Sequence, residues 1–286
     1  MYKYLFNLKI LLFFFFIGIT SSIKAEEVDV CTITNGVFSK AEAIDQGYCA
    51  SAPDTYEVVV YEMYLCTSLP SAPTTTSAMG LDSCFKNWEL TSGATLAVRQ
   101  NQTIDVPGTM NRPPNGTYTH GVMLIDNTFG ITMALQFDDT VSASDGTTGI
   151  YCGTVDGSEK LGSSNTIPAA SSTCGSSPIT PGKFTEELTS FDVGDFNAVA
   201  SADNLNGTSA EIFGYLIDTN RYLAENDADV DKLMGRLLFA SPVNFTESTT
   251  TLTMSFNVGE GMSLYNEGGG DLVFGSGPFQ AIITTD

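Results

Sequence analysis

Positive charge is what this chain has least of. Lys and Arg number 12 against 33 Asp and Glu in 286 residues, a formal net charge of −21. A field of that sign repels phosphate backbones and anionic lipid surfaces, so nucleic acid is not expected as a partner. Histidine occurs once, as His120, and tryptophan once, as Trp88. With a single imidazole, every Ser-His-Asp or Cys-His mechanism would have to run through His120. Its stretch, Tyr118–Ile125, reads as a strand, where a packed or hydrogen-bonded structural histidine is expected. No Gly-x-Ser-x-Gly elbow and no Cys-x-x-Cys pair is present. Nucleophilic catalysis therefore has no motif, and zinc has no ligand set.

Beyond residue 25 no apolar run approaches the roughly 20 residues of a membrane-spanning helix. The one apolar run, Leu11–Thr20, follows Lys3 and Lys9 and ends in Ser21 and Ser22. Residues 1–25 thus read as a secretory signal peptide, with cleavage at Ala25–Glu26. Removing Lys3, Lys9 and Lys24 leaves nine basic residues against 33 acidic ones, a net −24. The expected location is secreted, periplasmic or cell-surface, with no membrane span after removal of the signal. An acid-rich surface of this kind is suited first to solubility.

Six cysteines remain: Cys31, Cys49, Cys66, Cys84, Cys152 and Cys174. Six allow 15 connectivities. They fall into three successive couples with 17, 17 and 21 residues between partners, so sequential disulfides are expected. In an oxidising compartment each closure would contribute on the order of 3 kcal/mol.

The period-2 grammar of strands dominates the mature chain. Ser39-Lys-Ala-Glu42 resembles a capping box, and Gly47 would end a short N-terminal helix. Over Tyr56–Thr67 the residues Val59, Tyr61, Met63 and Leu65 fall on one face, with Glu62 on the other among Val58, Val60 and Tyr64. The Cys66–Cys84 interval, rich in Pro, Thr and Ser, reads as a stapled loop, and Trp88 beyond it as a cap on the core. Strands are expected at Ala94–Arg99, Thr103–Val106 and Tyr118–Ile125. Asp126–Gly130 reads as a hairpin turn returning through Ile131, Met133, Leu135 and Phe137. Further strands are expected at Ile212–Ile217, Leu233–Ala240, Leu252–Val258, Met262–Tyr265, Leu272–Phe274 and Phe279–Thr284. The fold class is all-β, an antiparallel β-sandwich, either one elaborated or two packed. Its expected divisions are a β-rich N-terminal half at 26–162, a Ser/Pro/Gly-rich connection at 163–182 and a β-rich C-terminal half at 183–286.

One acidic cluster invites a metal. Asp227, Asp229 and Asp231 alternate as at the start of a calcium loop, but the sixth position is Lys232 and the twelfth Leu238, where Gly and Glu are required. A looser calcium site would draw on Glu225, Asp227, Asp229 and Asp231; the competing expectation is a solvated acidic turn. Asn101, Asn115, Asn206 and Asn244 each open an Asn-x-Thr sequon.

The segment PPNGTYTHGVMLI (Pro113–Ile125) resembles the Pro-x-Gly-x-Tyr strand entry of transthyretin-like and pilus- or surface-associated sandwich domains. TLTMSFNVGEGMSL (Thr251–Leu264) is similar to their later strands. That resemblance implies an exported sandwich among surface, adhesive or scaffold modules and carries over no catalytic residue. The leading functional expectation is accordingly a non-enzymatic surface or extracellular protein with an adhesive, scaffold or filament-like role, with a surface glycan or self-association as partner. A carbohydrate- or calcium-binding module is the alternative, and a two-carboxylate hydrolase the third. The leader generates a first test. Intact-mass analysis of the exported protein is expected to place its N-terminus at Glu26; a chain retaining residues 1–25 would overturn that reading.

Overall fold

The computed structural model describes residues 26–27, 29–100, 102, 106–164, 171–192, 194–266 and 270–286. The expected leader at residues 1–25, the sequon residue Asn101 and residues 103–105 of one expected strand lie outside them. In chain order the strands are β1 (Glu26–Glu27), β2 (Ile33–Thr34), β3 (Val37–Phe38), β4 (Tyr48–Ser51), β5 (Thr55–Cys66), β6 (Cys84–Val98), β7 (Gly116–Thr132), β8 (Ala134–Ala143), β9 (Thr148–Thr154), β10 (Gly157–Leu161), β11 (Ser172–Gly175), β12 (Phe184–Leu188), β13 (Val199–Asp203), β14 (Glu211–Ile217), β15 (Lys232–Phe245), β16 (Leu252–Asn257), β17 (Met262–Asn266), β18 (Asp271–Ser276) and β19 (Gln280–Thr285). Nine of them form one sheet, eight a second, and β16 with β19 a two-stranded ribbon. The molecule is therefore almost entirely β, with several sheets packed on a shared core. Pairing is mixed: β1–β13, β10–β12, β3–β8 and β8–β18 run parallel.

The 17-residue β7 is the shared member of the larger sheet. Along one edge it pairs with β15 and then with β12, and along the other with β5, always antiparallel. Strands from both halves of the chain thus lie side by side, and their side chains enter one core. The hairpin turn expected at Asp126–Gly130 is not formed, because β7 runs straight through it. Thr128 to Ile131 pair with β12, Phe129 to Thr132 with β5, and Asn127 Nδ2 donates to Leu188 O at 2.9 Å. Turn-favouring Asp, Asn and Gly are overridden by backbone partners on both edges. The chain changes sheet one step later, at Met133, whose N–H donates to Thr154 Oγ1 at 3.0 Å. Ile131, Met133, Leu135 and Phe137 remain buried across that corner, so their alternation marks the inner face of two sheets in succession.

Register irregularities correct a second expectation. Two residues of β5, Tyr61 and Glu62, advance against one of β7, from Ile125 to Leu124. The extra residue switches the inward face, since a one-residue slip moves every later side chain across the sheet. Tyr56, Val58 and Val60 point into the main core before the bulge, and Met63 and Leu65 after it. Tyr64 and Cys66 face a separate outer cluster with Val122, Leu124, Tyr215, Ile217 and Met234. The single face expected for Val59, Tyr61, Met63 and Leu65 is therefore split.

The N-terminal helix is not shown. Ala41–Asp45 forms a single turn of π type, closed by Gln46 N–H to Ala41 O at 2.9 Å. Ser39 Oγ accepts from Glu42 N at 3.4 Å, but the Glu42 carboxylate accepts from Thr32 N instead of completing a capping box.

Disulfides join Cys31–Cys49, Cys66–Cys84 and Cys152–Cys174. The latter two link residues directly opposed on neighbouring strands. The Cys66–Cys84 staple closes the loop that lays Met79 onto the outer cluster. Replacing both cysteines with serine is expected to lower unfolding free energy by about 2–4 kcal/mol, read as a drop in urea midpoint; an unchanged midpoint would show that the loop needs no staple.

Candidate functional site

The inner face of the larger sheet carries a row of missing side chains. Ala200 of β13 pairs with Gly214 of β14, Gly214 with Gly235 of β15, and Gly235 with Met123 of β7. Their neighbours two residues away, Ala198, Ala202, Leu216, Leu233 and Leu237, point into the main core, which fixes the row as inward-facing. A Cβ built on Gly235 meets only Ile212 Cδ1, at 4.0 Å. Space is left where the sheet would otherwise fill the core. The result is a cavity of about 320 Å³, roofed in part by Met254 of β16 and by Phe279, Ala281 and Ile283 of the chain around β19.

Its walls are mostly apolar, with polar groups in a few places. Glu186 of β12 is fully buried, and its carboxylate accepts from Ser276 N at 3.1 Å and from Ser276 Oγ at 2.5 Å. Burial pushes the Glu186 carboxyl above its usual range despite those bonds. Tyr56 donates to Gly277 O at 3.3 Å. Its hydroxyl is raised well above the ordinary range by burial and by the charge of Glu186. The rings of Tyr48 and Tyr265 meet at a tilt of 38°, 5.5 Å between centres. Among the described lining residues Glu186 is the one carboxyl, and there is no Lys, Arg or His. A two-carboxylate arrangement for glycoside hydrolysis is not assembled here.

Asn87 is the exceptional wall residue. Along β6, Trp88 opposes Met63 and Lys86 opposes Tyr64, so Asn87 is the additional residue of a bulge. Bulges re-aim a side chain. Asn87 lies on the cavity at 0% exposure, and neither its Nδ2 nor its Oδ1 has a hydrogen-bond partner among the described residues. Next to it, Trp88 is equally buried and donates from Nε1 to Pro107 O at 2.9 Å.

The opposite face of the sheet holds an ion-pair lock. Glu62 accepts from Arg221 Nη1 and Nη2 at 2.8 and 2.9 Å, from Lys86 Nζ at 3.1 Å and from Tyr64 Oη at 2.5 Å. Burial alone would raise the Glu62 carboxyl, but the bonds from Arg221, Tyr64 and Lys86 outweigh it and hold it at about 2. Arg221 reaches Glu62 from a backbone with φ of +67°, a conformation few L side chains adopt without support from their surroundings.

The structure does not gather the sequence-derived metal candidates. Asp227 accepts from Ser163 N at 2.8 Å, from Ser163 Oγ, and from Thr189 Oγ1 at 3.0 Å. Asp229 accepts from Asn226 Nδ2 at 2.5 Å, Asp231 pairs with Lys232 at 2.8 Å, and Glu225 is exposed. Their partners are other protein groups. Among the described residues no cluster of three or more His, Cys, Asp or Glu is poised for a metal ion. His120 is partly buried, with Nδ1 2.8 Å from Thr119 Oγ1. Burial and then the Arg236 charge depress its basicity. Asn115 and Asn244 are exposed, and Asn206 is partly buried.

Sequence reasoning missed the cavity. Its signal was present in Ile212-x-Gly214-x-Leu216 and Leu233-x-Gly235-x-Leu237, where glycine interrupts an inward apolar alternation.

The Glu62 lock predicts an acid limb. Its carboxyl is depressed in the fold, so its contribution is complete above the unfolded value near 4.3 and disappears as pH falls through about 2. Glu62→Gln is expected to cost about 1–2 kcal/mol at pH 7, the partners being partly solvated, and to converge with the parent between pH 5 and 2. A gap independent of pH would show that the ion pair contributes nothing of its own.

No protein-family model matches the chain, and comparisons with curated proteins and with solved structures find no significant match, so the resemblance of 113–125 and 251–264 to transthyretin-like and surface-associated domains stands on those two segments alone.

Proposed function

We propose that this protein is exported and acts by binding, holding a small apolar guest between the sheets of a β-sandwich. The observation that carries the reading is the cavity of about 320 Å³ edged by Gly214 and Gly235. Gly235 keeps that space open, since a Cβ there would meet only Ile212 Cδ1, at 4.0 Å, and a valine at this position would fill part of it.

Three disulfides fit an oxidising, extracellular-type compartment. Among the described residues no helix is long and apolar enough to cross a membrane. With the leader, these features support a secreted, periplasmic or cell-surface location. Of the roles expected from sequence, binding has a specific structural feature behind it. The apolar walls favour a hydrocarbon-rich guest over a carbohydrate, whose hydroxyls would each need a polar partner. An adhesive or scaffold setting on a surface is compatible with this reading.

Naphthalene, with ten carbon atoms, tests it by fluorescence titration and thermal shift. The parent protein is expected to bind and to gain stability with concentration. Gly235→Val is expected to unfold at higher temperature without ligand and to lose binding at least tenfold. Absence of saturable binding to the parent would remove the proposal.

A further inference from the structure

We infer that the guest is a neutral amphiphile whose single polar group both donates and accepts hydrogen bonds, as a carboxamide does, and docks on Asn87. The inference rests on the binding reading above and deepens it. Asn87 presents an Nδ2–H₂ donor and an Oδ1 acceptor, both buried and both unpartnered among the described residues. A buried amide left in that condition costs roughly 1–3 kcal/mol, and a simpler solution, an apolar residue, was open at a bulge beside Trp88. The complement of an amide is another group offering one acceptor and one donor in the same plane.

Charge excludes the other common heads. Among the described residues no Lys, Arg or His lines the cavity, so a carboxylate or phosphate would be buried uncompensated in a space shared with Glu186. An ammonium head would find one carboxyl among the described lining residues, Glu186, which burial holds toward its neutral form. Size sets the remainder. At roughly 30 Å³ for each water-sized group the cavity holds about ten non-hydrogen atoms. Octanamide has that count, with a seven-carbon tail for the glycine row and an amide for Asn87.

The test is calorimetric titration of the oxidised mature chain with octanamide, octanoate, octylamine and nonane, repeated on Asn87→Leu and Asn87→Asp. Octanamide is expected to bind the parent about tenfold more tightly than nonane, octanoate and octylamine weakly or not at all. Asn87→Leu should reverse the order of octanamide and nonane. Asn87→Asp, close in shape and uncharged when buried, still offers one donor and one acceptor: it guards against a folding defect in the leucine variant and should keep the preference for octanamide. Equal binding of octanamide and nonane to parent and variants would overturn the role of Asn87 while leaving the cavity reading intact. Preference for octylamine or octanoate would overturn the neutral head. Failure of all four ligands, and of naphthalene, would overturn the binding reading itself.

Discussion

The structure depends on one strand having partners along both of its edges. Because β15 and β12 occupy one side of β7 and β5 the other, its 17 residues stand in the middle of a sheet, and it buries side chains on both faces, Ile125, Phe129 and Ile131 on one and Val122 and Leu124 on the other. The inner face is covered by the second sheet and the ribbon. Over the outer face, among the described residues, loops serve in place of a further sheet. The Cys66–Cys84 loop contributes Met79, and the segment after β14 contributes Arg221, which reaches Glu62 in the strand beside β7. A carboxylate in such a place is tolerable only with its charge met, and Arg221, Lys86 and Tyr64 meet it.

The same sheet explains the cavity. A sheet covered on both sides tends to fill its inner space with branched side chains, and here three adjacent strands withhold them at one level through Ala200, Gly214 and Gly235. Phe191 moves in over Gly214, within 3.0 Å of where a Cβ would stand, while Gly235 stays open. The bulge at Asn87 adds a polar group to that space, and the bulge at Tyr61 realigns β5 so that Met63 faces inward. Irregular register is thus how the sheet places chemistry in an otherwise apolar interior.

Much of the strand grammar was legible because it is local. The alternations at Leu252–Val258 and Ile131–Phe137 needed only the pleat and a buried face, and the disulfide couples came from their spacing. Where reading failed, the competing force was nonlocal. Asp126–Gly130 has the composition of a turn, yet each of those residues lies within a strand whose partners are scores of residues away. The Glu42 carboxylate would close a capping box on Ser39, but Thr32 from an earlier segment takes it.

By itself the sequence determined the acidic balance, the β-rich class and the cysteine couples, since these depend on composition, spacing and a period of two. Tertiary structure decided which faces look inward after each bulge, that one strand joins both halves of the chain, and that three small residues on different strands stand in one row. Those are matters of register between distant segments. A single residue's slip reverses them, and no local pattern records it.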